Sequence, residues 1–230
     1  MNKLAIIGAE PLTRNNAPWD DMSFDIWTIS NWANADWAKR VSASIEIHKP
    51  KLYKDHPLDA KYWEYLVNTD VPVIMQETDR DVKSSCVFPL SEIKNLTKNV
   101  IVKGQQAQIL NSSICYCIAL AILQNYEQID VYGVEMSNSS EYRSQQSAFT
   151  FWVGFAAGRG VKLNINCTQA LLLQPLYGYE DTMNNDKIHS YINGIKEDQA
   201  KLDAKQAELK KQSNMMEGAL MLARQLLEDD

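Results

Sequence analysis

The run Lys3-Leu-Ala-Ile-Ile-Gly-Ala-Glu-Pro-Leu-Thr-Arg14 is a short apolar strand that breaks at Gly8 and enters a turn. A glycine there lets a phosphate or ribose approach the backbone closely. Thr13 adds a hydroxyl, and Arg14 adds a guanidinium fork suited to phosphate. Glu10 is awkward in such a turn, because a carboxylate repels phosphate unless a metal or a ribose hydroxyl takes it up. The same residues also suit an ordinary strand-end turn. Neither a dinucleotide glycine fingerprint nor a P-loop is present.

Other stretches share this character. Ser30-Asn31 follows a second strand, and the amide of Asn31 can read a base edge or sugar, or simply cap the next helix. Asn111-Ser112-Ser113 precedes a strongly apolar segment, so its hydroxyls and free N–H groups form either an anion seat or a plain helix cap. Tyr132-Gly-Val-Glu-Met-Ser137 places Glu135 where a strand leaves its sheet, as a base, a ribose holder or a metal anchor. The polar residues after it, Asn138 to Gln145, read as a cover loop. From that region Arg143 or Arg159 could close over phosphates or make surface ion pairs. His48, after a third strand, is a candidate acid or base, although no orienting partner is identifiable for it; His56 and His189 read as solvent-facing.

The elements that must hold these groups alternate strand with helix. Strands are expected at Leu4–Ile7, Asp25–Ser30, Ser44–Ile47, Val71–Met75, Ile129–Val134 and Val161–Ile165. Helices are expected at Trp32–Arg40, Leu58–Val67, Ile114–Gln124 and Ala148–Gly158. This order predicts an α/β fold, a Rossmann-like, mostly parallel sheet with helices on both faces. It would form a nucleotide-binding domain over residues 1–180, with the ligand beyond the carboxyl ends of the strands.

Composition shifts near Asp181, and residues 181–230 read as a helical tail. Ile188, Ile192, Ile195, Gln199, Leu202, Gln206, Leu209, Ser213, Met216, Leu220, Ala223 and Leu227 follow alternating steps of four and three, the seam of a long helix or coiled coil. The expectation is self-association through residues 186–230; the other reading is an amphipathic helix packed on its own domain. Gly194 and Gly218 each weaken the helix by about 1 kcal/mol.

The net charge of -6 argues against a general nucleic-acid or anionic-membrane binder, yet leaves room for a small phosphate pocket. Cys86, Cys115, Cys117 and Cys167 show no zinc spacing and read as free thiols of a reducing compartment. With no signal-peptide pattern and no membrane-length apolar run, a cytoplasmic protein is expected.

Taken in order, strand-Gly-x-x-Pro-Leu-Thr, Ile-Ser-Asn, Asn-Ser-Ser before an apolar helix, and Ile-Asp-Val-Tyr-Gly-Val-Glu-Met resemble a Rossmann-like superfamily. It includes the 6-hydroxymethylpterin diphosphokinase-like proteins and certain bacterial sialyltransferases. The stretch from Glu141-Tyr142 through Phe151-Trp152 to Gly158-Arg-Gly-Val-Lys162 resembles phage and prophage proteins of this type. Glu10 and Thr13 depart from the family's glycine turn, and Glu135 stands in place of its Asp. The resemblance implies a nucleotide or nucleotide-sugar ligand with its phosphates at Gly8, Thr13, Asn31, Ser112 and Ser113. The expected activity is nucleotide-dependent glycosyl or diphosphoryl transfer, with Mg2+ as the candidate metal. Two other roles stay open at this point. One is a non-catalytic binder that sequesters a nucleotide signal, and the other is an assembly protein whose core has lost its ligand.

Overall fold

The computed structural model describes residues 2–54, 60–135, 140–167, 176, 179 and 185–228. For 31, 32, 50, 140–144, 185–188 and 222–228 it describes the backbone alone. The chain divides into two compact units, Met1–Leu172 and Leu173–Asp230.

The first unit is built on β1 (Lys3–Ile7), β2 (Phe24–Ile29), β3 (Ala43–Glu46), β4 (Val73–Met75), β5 (Ser85–Val87), β8 (Gln128–Tyr132) and β9 (Lys162–Asn166). They form a seven-stranded sheet in the order β5-β4-β3-β2-β1-β8-β9, and each pairing is parallel. Every strand therefore ends at the same edge. A separate hairpin joins β6 (Ile101–Val102) to β7 (Gln105–Gln106) through Lys103 and Gly104, both at positive φ. That is the backbone signature of a tight two-residue hairpin turn.

Alternation along the strands sends side chains to both faces. Leu4, Ile6, Trp27, Ile45, Ile74, Ile129 and Val131 point to one face. They pack under α3 (Leu90–Leu96), α4 (Ser113–Leu123) and α5 (Ser140–Gly158). α4 buries eight of its residues, from Ile114 to Ile122, and this is why it reads as apolar almost all round. Trp152 of α5 is fully buried and donates its indole N–H to the Ile109 carbonyl at 2.7 Å. On the opposite face, Ala5, Ile7, Phe24 and Ile26 pack with Trp19, and Val73 and Met75 pack with Tyr62 and Leu66 of α2 (Ala60–Asn68). Helices thus cover both faces of a mostly parallel sheet, the expected α/β architecture.

Details differ from the sequence expectation. The helix expected at Trp32–Arg40 is a single 3-10 turn, Ser30–Asn34; Asn34 and Asp36 are weak helix formers that favour turns. The expected cover loop is helical from Ser140 onward; Glu, Arg and Gln form helices well, and only the apolar stripe waits until Ala148. Pro11–Arg14, expected as a turn, forms one helical turn, α1. β5 and α3 went unanticipated, since β5 is a short edge strand with half-exposed and exposed residues and lacks a buried face.

The second unit contains α6 (Asn185–Glu228), one continuous helix of 44 residues. Among the described residues no helix is long and apolar enough to cross a membrane.

Candidate functional site

From β1 the chain builds outward to β5 on one side and then returns to β8 on the other. The order reverses between β1 and β8, so their carboxyl ends mark the switch point where open α/β sheets place ligands. Here the turns after the two strands are fastened together. Gly8 N–H donates to the Tyr132 carbonyl at 2.8 Å, and Glu10 N–H donates to the Gly133 carbonyl at 2.9 Å. Gly133 N–H donates to Thr13 Oγ1 at 2.7 Å. The glycine at position 8 serves the approach of Gly133, whose φ of 65 places it in the left-handed region.

Glu10 finds its partners inside this turn. Its carboxylate caps α1, accepting from Leu12 N–H at 2.8 Å and Thr13 N–H at 3.1 Å, with the Thr13 hydroxyl at 3.4 Å. The protein's own carboxylate thus occupies the backbone N–H groups of the turn that the sequence suggested for a phosphate, and the Thr13 hydroxyl joins the two turns. Arg14 donates Nη1 to the Ala9 carbonyl and lays its guanidinium over the Trp37 ring, 4.4 Å from the centroid. Its Nε is buried with no partner among the described residues, as is Thr28 Oγ1 on β2.

Two strands away the same edge carries a histidine–carboxylate pair. Glu46, the last residue of β3, is 1% exposed, and its neighbour His48 is half-exposed. His48 Nδ1 lies 2.7 Å from Glu46 Oε1, which also accepts the His48 backbone N–H at 2.9 Å. Tyr62 O–H donates to Glu46 Oε2 at 2.8 Å. Residues 46 and 48 share a face because strand side chains repeat every two residues. A buried carboxylate holding Nδ1–H fixes the ring's tautomer and leaves the lone pair on Nε2. Nε2 has no partner among the described residues. Ser30 Oγ, at the end of β2, stands 3.3 Å from His48 Nδ1. Ser30 has a φ of 52, a conformation uncommon for a residue with a side chain, at the junction of two strand ends.

The hydrogen bond to Glu46 raises the His48 pKa above its ordinary 6.5, against an opposing contribution from burial. Burial, with the Glu46 charge and hydrogen bond, raises Tyr62 far above the usual tyrosine range, so it stays a donor. Because the folded-state value of His48 is raised, its contribution to stability is complete below about pH 6.5 and is lost as pH rises through the raised value. Titration of the His48 ring protons by NMR should give a midpoint above 6.5, and Glu46→Gln should move it down. A midpoint at or below 6.5 in the unmodified chain would show that Glu46 does not hold the ring.

α4 runs back toward the start of β8, so its first turn also lies at the carboxyl edge. There Ser112 donates to Cys115 Sγ at 3.1 Å, and burial pushes the Cys115 thiol up to about 11, marking it as an inert core thiol. The structure therefore brings Gly8, Thr13, Arg14, His48, Asn111, Ser112, Ser113 and Glu135 to one edge, along with the backbone of Asn31. Arg159 is elsewhere. It follows α5 just ahead of β9, at the amino edge, and rests against Phe155. The side chains of Asn31 and Arg143 lie outside the described part, as do residue His56 and the loop positions 136–139. Among the described residues no group of three or more His, Cys, Asp or Glu side chains converges to hold a metal ion.

Glu46 and Tyr62 were missed from sequence. The available signal was an acidic residue two positions from His48 in the otherwise apolar run Ile45-Glu46-Ile47.

Two grooves bear on the choice of site. One of about 440 Å³ opens at the amino edge, between the starts of β2 to β4 and the end of α4. Its carboxylate, Asp25, is already held by Tyr126 O–H at 2.7 Å. The other, about 620 Å³, lies at the carboxyl ends of β4 and β5, lined by Gln76, Phe88 and Glu92. Gln76 donates to the Ile47 carbonyl, which ties this groove to the end of β3.

No protein-family model matches the chain, and no curated protein matches it. Among solved structures it is similar to the sialyltransferase CstII from Campylobacter jejuni in complex with cytidine-5'-monophosphate, at 15% identity over 75% of this chain and 82% of that one, with a TM-score of 0.45. It is also similar to CST-II in complex with a trisaccharide acceptor and CMP, at 14% identity over 80% and 92%, with a TM-score of 0.46. Each is a likeness of fold alone.

Proposed function

We propose that this chain binds a nucleotide at the carboxyl edge of its sheet and transfers the group that nucleotide carries to an acceptor hydroxyl, with His48 as the general base. The observation that carries the reading is the half-exposed imidazole at the strand ends whose Nδ1 is held by buried Glu46. A group so held suits removal of a hydroxyl proton in the transition state. In the glycosyl form of the reaction, the acceptor O–H proton passes to Nε2 while its oxygen bonds to the anomeric carbon. The bond from that carbon to the phosphate oxygen breaks, and the electron pair leaves on the nucleotide phosphate. In the diphosphoryl form, the same deprotonated oxygen attacks the β-phosphorus of a nucleoside triphosphate, the bond from that phosphorus to the oxygen bridging it to the α-phosphate breaks, and the electron pair leaves on the nucleoside monophosphate. Arg14, at the same edge, is the cation assigned to the leaving phosphate. His48 is assigned as the base because buried Glu46 orients its imidazole.

The ordered motifs of the sequence support the nucleotide part of this reading. Its test begins with ligand. Small molecules released on denaturing the purified protein are identified by mass spectrometry, and a panel of nucleotides is screened by thermal shift with and without Mg2+. CMP, named as the ligand of the similar structures, belongs in that panel. A nucleotide that raises Tm, followed by its turnover with an acceptor, supports transfer. Tight binding without turnover identifies a sequestering protein, and no binding across the panel overturns the reading.

A further inference from the structure

Among the described side chains of α6, residues 189–221, an apolar stripe is exposed. Ile192, Ile195, Leu202, Leu209, Met216 and Leu220 recur at steps of three, four and seven, and all are exposed, Leu202 and Met216 to 64%. A helix with such a seam is stabilised by covering it. We propose that the stripe is covered by the α6 helix of a second copy of this chain, running antiparallel, with residue 206 of one chain opposite residue 209 of the other. This inference stands apart from the proposed activity.

The direction and register follow from the charges beside the seam. Taking Ile192, Gln199, Gln206, Ser213 and Leu220 as one seam row and Ile195, Leu202, Leu209 and Met216 as the other, the flanking residues are set. Lys196, Asp203, Lys210 and Glu217 lie on one flank, and Asp198, Lys205, Gln212 and Ala219 lie on the other. In the antiparallel register, Lys196 of each chain meets Glu217 of the other, and Asp203 meets Lys210. The second flank pairs Asp198 with Ala219 and Lys205 with Gln212. No like charges meet. In the seam Ile195 lies on Leu220, Gln199 on Met216, Leu202 on Ser213, and Gln206 on Leu209.

A parallel pairing puts residues on opposite flanks together. Asp198 then meets Asp203, and Lys205 meets Lys210, each twice. It does stack Gln199 and Gln206 on themselves, where amides can bond, and Leu202, Leu209 and Met216 on themselves, so the seam favours it, and the four like-charge contacts are what oppose it. Shifting the antiparallel register by one heptad also fails. In one direction Lys196 meets Lys210 and Asp203 meets itself; in the other Asp203 meets Glu217 and Lys210 meets itself. Flanking charges select partner and orientation in this way in coiled coils generally.

Asp203→Lys in the full chain separates the two pairings, because its effect has opposite sign in each. In the antiparallel pairing the substitution sets two positive charges, at positions 203 and 210, against each other at two places. The dimer dissociation constant measured by sedimentation should then rise about tenfold at low salt. Adding Lys210→Asp should restore it. A parallel pairing would lose its Asp198–Asp203 repulsion and tighten. Cysteine cross-linking gives a second readout. Lys196→Cys and Glu217→Cys chains, mixed and oxidised, should yield the mixed disulfide across the pair, and neither chain alone should cross-link at that position. A monomer at all concentrations, a tighter Asp203→Lys dimer, or equal cross-linking of each variant with itself overturns the proposal.

Discussion

Gly8→Ala should destabilise the first unit by about 3 kcal/mol or more, a large part of the stability of an ordinary domain. An ideal Cβ at position 8 falls 2.3 Å from the Gly133 carbonyl oxygen, 3.0 Å from its carbon and 3.1 Å from Val134 Cγ2. The first two are backbone atoms, so no rotamer change relieves them. The Gly133 carbonyl is also held, since it accepts Glu10 N–H at 2.9 Å, and Gly133 N–H is tied to Thr13. Making room means parting the turns after β1 and β8 and giving up these bonds. For a unit of this size the loss corresponds to a Tm lowered by roughly 10 °C. Gly154→Ala in α5 is the matched control. Nothing lies within 4 Å of its added Cβ, so helix propensity alone acts, and the change should be neutral or stabilising by about 0.5–1 kcal/mol. Urea unfolding of both variants measures the difference. If Gly8→Ala unfolds with Gly154→Ala, the two turns are not in contact as described.

This close approach also shows where sequence reasoning stopped. The strand before Gly8, the apolar helix from Ile114 and the parallel order were legible because their signals are local. Runs of Leu, Ile, Ala and Val mark strands with both faces covered, and α4 is buried on nearly every side. The meaning of Gly8 is not local. Its partner Gly133 is 125 positions away, and a glycine that admits a phosphate looks the same in sequence as one that admits another backbone. Glu10 shows the same limit. As a sequence feature it opposed phosphate binding; in the fold it supplies an internal anion to the first turn of α1. His48 was legible as a candidate and Glu46 was not, because a carboxylate in an apolar strand is read as a misplaced surface residue until Tyr62 arrives from α2 to share its burial. What the sequence lacked in each case was the pairing of distant segments, which the strand order supplies.

His48→Gln should lower kcat by about 10²–10⁴ while changing nucleotide affinity little, the pattern of a lost general base. Gln keeps a polar group of similar reach but has no lone pair of the right basicity. The pH dependence makes the test specific. The base works as the neutral imidazole, so kcat/KM should rise with pH through the His48 pKa, which Glu46 holds above 6.5. Glu46→Gln withdraws that support, and the rising limb should move to lower pH. Its kcat should also fall, because an imidazole released from its orienting carboxylate samples unproductive tautomers and rotamers. Stability and activity therefore run in opposite directions. Below the raised pKa the charged His48 stabilises buried Glu46 and the base is blocked; above it the base is free and the pair contributes less. A merely structural histidine would give a different set of results. Its replacement would lower Tm and nucleotide affinity together and leave the rising limb of the residual activity unmoved by Glu46→Gln.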